Sequence, residues 1–390
     1  MTDQTVAAWY DELRRGSSIT WAEHLAAGQP DQAGDGTPVR VGAAHLELVR
    51  RLAARIGRRR DFAELADLIV ATPTFGRGRV DIPLLLPGSV PTSGSPPMDP
   101  ELVPAGELLR VAVPVLAGLL RPGGGGFETL AGARSSTNGR ARPGRRRPRV
   151  VVHGNPGMAQ PLRGALTAAG VREGGRSALH VVLAGPLDAA VFALWTARVR
   201  GGAAVRWRRL WERLSTSELP PGLDPVAMVD DLAARVRRDR IHLVVAVSPV
   251  VAAARVGELL GVDLPVSTPL TWAEVDLARR LNWFNAARLD AAERAVHVGA
   301  LLDLPRTERH GAAHVPAMPA ELRPWATTIA AQVRDGLAER VQAGGYAVHG
   351  DLEEVGSLVS AAVGRRAHTS PAATLYVAVE AIAQAFREGR

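Results

Sequence analysis

Three short runs of apolar, mostly β-branched residues constrain the fold of this chain more than any other feature of its sequence. They are Arg149-Val-Val-Val-His153, Leu179-His-Val-Val-Leu183 and Ile241-His-Leu-Val-Val-Ala-Val247. Helical patterns alternate with these runs, over residues 162–169, 188–199 and 225–237. Near-continuous apolar strands that alternate with helices are typical of a parallel sheet covered on both faces. The sequence therefore predicts an α/β fold with a three-layer parallel-sheet core.

Segments rich in Gly, Pro, Ser and Arg divide the chain into regions. Residues 122–148 contain a four-glycine run and too little apolar surface to order themselves, and residues 83–104 also look like loops. We expect a mostly helical N-terminal region over 1–121, a flexible Gly/Arg-rich linker over 122–148, and an α/β domain with C-terminal helices over 149–390. A capping box, Thr271 with Glu274, is predicted to start the C-terminal helices.

Tryptophan and glycine recur at identical spacing in two parts of the chain. Trp9, Gly16 and Trp21 match the spacing of Trp195, Gly202 and Trp207. One interpretation is that the N-terminal region is a degenerate half-repeat. The other is that two helix–turn units converged on aromatic anchors for their cores.

The composition excludes several kinds of chemistry. All 47 basic residues are arginine, and there is no cysteine. A lysine Schiff base, a lysine-bearing phosphate loop, disulfides and thiolate nucleophiles are therefore excluded. Mean hydropathy is +0.02, and no uncharged apolar stretch approaches 18 residues. With no signal-peptide pattern at Met1, we expect a cytoplasmic protein without a membrane span.

The excess of arginine over acidic residues gives a net charge of +8 and a pI near 11.0. Such a charge suits an anionic partner. Most helical arginines alternate with Asp and Glu, however, and aromatic residues make up 4% of the chain, so there are few platforms for base stacking. Nucleic acid is therefore not the expected partner.

Two segments of the α/β region follow each other along the chain. The first is the strand–turn–helix at residues 149–166 (RVVVHGNPGMAQPLRGAL), and the second is the strand–helix at residues 183–195 (LAGPLDAAVFALW). Later segments near His242, Asp263, Glu274 and Tyr346 continue that order. Together, roughly residues 149–355 resemble the P-loop-like sulfotransferase family, in the divergent form common in actinobacteria. The resemblance implies a sulfotransferase-like P-loop fold, a transferase reaction and 3′-phosphoadenylyl sulfate as the sulfo donor.

Most of the donor-binding residues of that family are missing here. The family places a cation, usually lysine, after the loop proline, and hydroxyl residues next. In this chain Pro156 is followed by Gly157-Met-Ala-Gln-Pro161. Where the family has an arginine and a serine for the 3′-phosphate, this chain has Gly185 and Ala193. Each lost charge-assisted hydrogen bond is worth about 1.5–3 kcal/mol, so we expect donor binding only if the site survives in altered form.

The first turn holds the candidate site residues that remain. They are Gly154, Asn155, Pro156 and Gly157, with Arg163 and Arg198 as replacement anion ligands. His153 ends the first strand at the carboxyl edge, where open α/β sheets bind their ligands, and is the candidate general acid–base. The alternative is a histidine bonded to the loop backbone. Asp188, Asp263 or Asp351 would be available to orient it.

A pair of histidines, His310 and His314, has the i, i+4 spacing of a helical metal site, with Glu308 nearby. Gly311 and Pro316 favour a loop instead, so no metal site is predicted.

Three functions remain open on the sequence. The first is a sulfotransferase-like protein connected with surface polysaccharide or glycan modification, with donor binding lost or altered; as an enzyme it would be a transferase acting on a glycan or small-molecule acceptor. The second is a non-catalytic interaction or scaffold protein, a pseudoenzyme with a protein partner. The third is a nucleic-acid binder that uses the arginine cluster at residues 140–149.

Overall fold

The computed structural model describes residues 2–27, 42–75, 98–120, 149–265, 268–305, 315–359 and 370–389. Its helices are α1 Thr2–Arg14, α2 Trp21–Ala26, α3 Ala43–Ile56, α4 Phe62–Ala71, α5 Ala105–Leu119, α6 Pro156–Ala168, α7 Leu187–Arg200, α8 Trp207–Leu214, α9 Pro225–Ala233, α10 Pro249–Leu260, α11 Trp272–Asn285, α12 Ala291–Asp303, α13 Arg323–Gly344, α14 Glu353–Gly356 and α15 Pro371–Glu388. Its strands are β1 Arg149–His153, β2 Arg172–Glu173, β3 Leu179–Ala184, β4 Ile241–Val245 and β5 Ala347–His349. The predicted linker at 122–148, residues 83–97 of the loop-rich stretch, the His310–His314 pair and most of the arginine cluster at 140–149 lie outside the described residues.

The chain forms two compact units, and each is assembled from separate stretches of sequence. The helical unit comprises Met1–Ala133, Asp276–His310 and Thr369–Arg390, and the α/β unit comprises Arg134–Val275 and Gly311–His368. This division differs from the predicted one, in which residues 149–390 form a single domain. The C-terminal helix belongs with the N-terminal helices because α15 buries one apolar face against α5 and α3.

The α/β unit contains a parallel five-stranded sheet in the order β2-β1-β3-β4-β5. Helices α6 and α10 pack on one face, where Val152, Leu183 and Val244 point, and α9 and α13 pack on the other face. The predicted α/β class with a parallel sheet covered on both faces is thereby confirmed. The strands β2 and β5, of two and three residues, were not predicted.

Several predicted element boundaries agree with the structure. Strand β1 spans the predicted residues, and Thr271 and Glu274 form the expected capping box, with a 2.7 Å bond from the Thr271 N–H to Glu274 Oε2. Helix α6 differs, because it begins at Pro156 and carries Pro161 inside it. The sequence pattern favours a start after Pro161, although Pro156 is well suited to a first helical position. Within the described residues, no helix is both long and apolar enough to cross a membrane.

The two tryptophan–glycine segments adopt the same helix–turn–helix geometry. Trp9 Nε1 donates to the Ile19 carbonyl at 3.1 Å, and Trp195 Nε1 donates to the Val205 carbonyl at 2.8 Å, each across ten residues. The ring pairs match as well, with centroids 5.0 Å apart for Trp9 and Trp21 and 5.5 Å apart for Trp195 and Trp207. The intervening glycines, Gly16 and Gly202, have φ of 80° and 87°. One hairpin design thus occurs once in each unit, as α1–α2 and as α7–α8.

Candidate functional site

The order of the parallel strands changes direction between β1 and β3, which makes this point the topological switch point of the sheet. Strand β2 lies on one side of β1, and β3, β4 and β5 follow on the other. In open α/β sheets the crevice outside the carboxyl ends of such a strand pair is the usual ligand site. Here the crevice is bounded by Gly154 and Asn155 after β1 and by Gly185 and Pro186 after β3. This is also where the sequence predicted the donor-binding turn.

Backbone atoms occupy the space that a side chain at Gly157 or Gly185 would need. A Cβ atom built on Gly157 would stand 1.9 Å from the Ala193 carbonyl oxygen of α7. A Cβ atom built on Gly185 would stand 2.1 Å from the Ala246 carbonyl oxygen. Real Cβ atoms essentially never approach other heavy atoms within 3.0 Å. Neither position can therefore hold a cationic side chain unless the backbone moves.

The N-terminus of α6 is closed by its own cap. Asn155 is 4% exposed, and its Oδ1 accepts the Gly157 N–H at 2.8 Å. Its amide also donates to the Ala190 carbonyl in the first turns of α7. The next two N–H groups, of Met158 and Ala159, already bond to the Asn155 carbonyl. The donors that a helix N-terminus would present to a phosphate are thus used internally.

A small cavity remains beside this turn, and its walls are mostly apolar. Its volume is about 30 Å³, which is room for about two water molecules. Among the described residues, no charged side chain lines the cavity. Its lining includes Met158, Leu183, Leu187, Leu223 and Val355. The 3₁₀ turn Pro221–Leu223 covers the helix start, since a methyl group on Gly222 would lie 3.4 Å from Pro156 Cδ. The crevice therefore offers a small, mostly apolar cavity and not an arginine-lined pocket.

Of the two arginines proposed as replacement anion ligands, Arg163 is held by other partners and Arg198 lies away from the turn. Arg163 donates to the Val152 carbonyl and lies 3.5 Å from Glu173, beside the edge strand β2. Arg198 is exposed in the last turn of α7, about 16 Å along the helix axis from Leu187. Arg163 therefore reaches the end of β1 next to the turn, where Val152 and Glu173 already hold its guanidinium, and Arg198 lies far from the turn.

Arg255 does reach the carboxyl edge, although sequence reasoning missed it. Its guanidinium donates to the Val245 carbonyl at the end of β4, and it lies 3.5 Å from Glu354. Both partners compensate its charge locally. Arg255 is the single basic residue of α10, but its position at the end of β4 depends on how the helix packs, which the sequence does not show.

The candidate acid–base residue His153 pairs with a second histidine. Its Nε2 lies 3.0 Å from His180 Nδ1, with the rings stacked 5.2 Å apart. Burial, followed by the charges of His180 and Arg163, lowers the pKa of His153 from 6.5 to about 4. The imidazole is therefore neutral at pH 7 and weakly basic. A general base works best with a pKa near the operating pH, so this environment suits a structural histidine better than a catalytic one.

A second pair repeats the arrangement on the opposite face of the sheet. His242 Nδ1 on β4 lies 3.1 Å from His349 Nε2 on β5, and burial, then His349, lowers the pKa of His242. Both pairs join neighbouring strands diagonally, two register positions apart. The sequence did not reveal them, because the pairing depends on strand register.

The aspartates proposed to orient His153 have other roles. Asp188 is fully buried and accepts the backbone N–H groups of Ala189 and Val359. Asp351 accepts the Glu353 N–H, and Asp263 is exposed. Among the described residues there is no group of three or more acidic or histidine side chains placed to hold a metal ion.

The chain was compared with protein families, curated proteins and solved structures. No family model, curated protein or solved structure matches the chain.

Proposed function

We propose that this protein is a non-catalytic interaction protein that keeps a sulfotransferase-like α/β fold after losing sulfo-donor binding. The main support is that backbone carbonyl oxygens leave no room for a side chain at Gly157 and Gly185. These oxygens lie 1.9 and 2.1 Å from where a Cβ atom would stand. These are the positions at which the resemblance places a cation and an arginine for the donor phosphates.

The electrostatics of the crevice support the same proposal. A phosphosulfate donor carries several negative charges, which need cations or unsatisfied N–H groups once they leave water. The Asn155 side chain accepts the Gly157 N–H, and Glu354 forms an ion pair with the nearby Arg255. An anion here would meet carbonyl oxygens and apolar side chains. The same closure argues against an altered donor site that relies on Arg163 or Arg198.

A thermal-shift experiment with adenosine 3′,5′-bisphosphate tests the proposal. A ligand that binds only the folded state at 100 times its Kd adds about 2.7 kcal/mol to the free energy of unfolding. We expect no shift at millimolar ligand beyond that given by sodium sulfate at the same ionic strength. A specific rise of several degrees that Arg255→Ala abolishes would place a donor at this edge and overturn the proposal.

A further inference from the structure

Exposed arginines crowd the α7–α8 hairpin of the α/β unit. Residues 198–214 contain six arginines and a single acidic residue, Glu212. The arginines of this basic hairpin face, all exposed, are Arg198, Arg200, Arg206, Arg208, Arg209 and Arg213. Residues 50–60 of the helical unit also contain six arginines, but four of these form ion pairs with carboxylates: Arg50, Arg51, Arg55 and Arg59. Within the hairpin, Glu212 is the single carboxylate available to six arginines.

The hairpin fold itself does not require these arginines. In the matching α1–α2 hairpin, Thr20 and Glu23 stand where α8 has Arg206 and Arg209. There they form a capping box, with Thr20 accepting the Glu23 N–H at 3.1 Å. Helix α8 has no side-chain cap at Arg206 and no acidic residue in its first turn. Arg206, Arg208 and Arg209 also lie at the positive end of the helix dipole, where cations are unfavourable.

Three of the arginines form one stripe along α8. Arg206, Arg209 and Arg213 are spaced by three and four residues, so they share a face of the helix about 10 Å long. Arg209 is 73% exposed and shares Glu212 with Arg208. Among the described residues, Arg206 and Arg213 make no ion pair. The stripe therefore offers guanidinium groups to a partner.

We infer that the basic face of the α7–α8 hairpin is a docking surface for an acidic polypeptide segment. This inference rests on the interaction role proposed above, since it specifies the chemical class of the partner. The surface itself is separate from the closed crevice, so each can be tested alone.

The hairpin already holds one chain segment in this way. Trp207 Nε1 donates to the Ala317 carbonyl at 3.0 Å, and Arg208 Nη2 lies 2.7 Å from Glu321 Oε1. A stretch of backbone is thus bound through an indole–carbonyl bond and a guanidinium–carboxylate pair. Such pairs are strong and directional, and the neighbouring stripe presents the same groups.

The aromatic side chains of the hairpin argue for a polypeptide over a nucleic acid. Trp211 is fully buried, and Trp207 packs against Phe192, Trp195 and Trp211. Their faces are used within the unit and are not offered to bases. Binding of single strands relies on such stacking platforms.

The test uses the full chain and a variant designed to stay folded. Arg206→Thr with Arg209→Glu recreates the capping box of α2 while it removes two guanidinium groups. The matched control, Arg58→Thr with Arg60→Glu, makes the same change of net charge at exposed arginines of the helical unit. The probe is a fluorescein-labelled 12-residue peptide of alternating Glu and Gly, titrated by fluorescence anisotropy at low and moderate salt.

We expect the wild type and the control variant to bind the peptide within twofold of each other, and the α8 variant to bind about tenfold or more weakly. Absence of peptide binding, or equal weakening in both variants, would overturn the inference. Tighter binding of a 12-nucleotide oligo-dT with the same arginine dependence would overturn it in favour of nucleic acid. The adenosine 3′,5′-bisphosphate shift, measured on the same samples, reports separately on the proposed loss of donor binding.

Discussion

Gly157 at the start of α6 and Ala193 in the middle of α7 lie in backbone contact. A Cβ atom on Gly157 would come within 1.9 Å of the Ala193 carbonyl oxygen, so the two helices pack without an intervening side chain. This contact leaves no room for a side chain at the start of α6, in the crevice between β1 and β3.

Gly157→Ala is expected to destabilise the protein by about 1–3 kcal/mol or more, because the methyl group forces α6 and α7 apart. Gly164→Ala on the same helix is the matched control, since Gly164 is exposed and its Cβ would meet nothing within 4 Å. That change should stabilise the protein by about 0.5–1 kcal/mol. Urea unfolding of both variants measures the difference. Equal effects would contradict the close approach of the two helices.

Asn155→Ala is expected to cost more than the loss of an ordinary helix cap. It removes a cap worth about 1 kcal/mol and also the bond from the Asn155 side-chain amide to the Ala190 carbonyl, which adds about 0.5–1.5 kcal/mol. Ser248→Ala, at the N-cap of α10, is the control that loses the cap alone. If the two variants lose the same free energy of unfolding, the bond to Ala190 contributes nothing.

Acid should destabilise the fold through the His153–His180 pair. The folded pKa of His153, about 4, lies below the unfolded value of 6.5, so the unfolded state binds more protons between these two pH values. The contribution of His153 to stability is complete above pH 6.5 and is lost as the pH falls toward 4. His153→Gln should therefore lose less free energy of unfolding than the wild type between pH 7 and pH 4.5, as measured by urea unfolding at each pH. A parallel decline in both proteins would contradict this assignment.

The matching tryptophans of the two hairpins should contribute similarly to the free energy of unfolding. Trp9→Phe and Trp195→Phe each remove an indole–carbonyl bond and shrink a fully buried ring, for an expected cost of about 1–3 kcal/mol apiece. Trp283→Phe is the control, because Trp283 is 45% exposed and phenylalanine preserves its aromatic contact with Phe75. Its cost should stay within about 0.5 kcal/mol. Thermal unfolding of the three variants provides the comparison, and a large difference between Trp9 and Trp195 would argue against equivalent hairpins.

The parts of the fold that the sequence predicted well are those with a strong local signal. Strands β1, β3 and β4 are apolar and β-branched, and each starts at the predicted residue and ends within two residues of its predicted end. Strand β2 consists of Arg172 and Glu173, and β5 of three residues, so neither carries a period that marks a strand. The assignment of α15 to the helical unit depends on packing between ends of the chain far apart in sequence, which local patterns do not contain.

At the site, residue types were predictable but their surroundings were not. The glycine at position 157 is visible in the sequence, whereas the carbonyl that excludes a side chain there, 36 positions further along, is a tertiary contact. His153 was identified correctly as the residue that ends β1. Its partner His180 required the register of β1 against β3, and Arg255 required the path of α10 past the end of β4.

The division of the helical unit among three stretches of sequence has a consequence during synthesis. Helices α1 to α5 leave the ribosome first, but the faces of α3 and α5 that receive α15 stay uncovered until translation has passed residue 388. The α/β unit, by contrast, has its whole sheet once residue 349 has emerged. The first part of the chain to be made is therefore the last to complete its core. Until then it exposes apolar surface of the kind that chaperones bind.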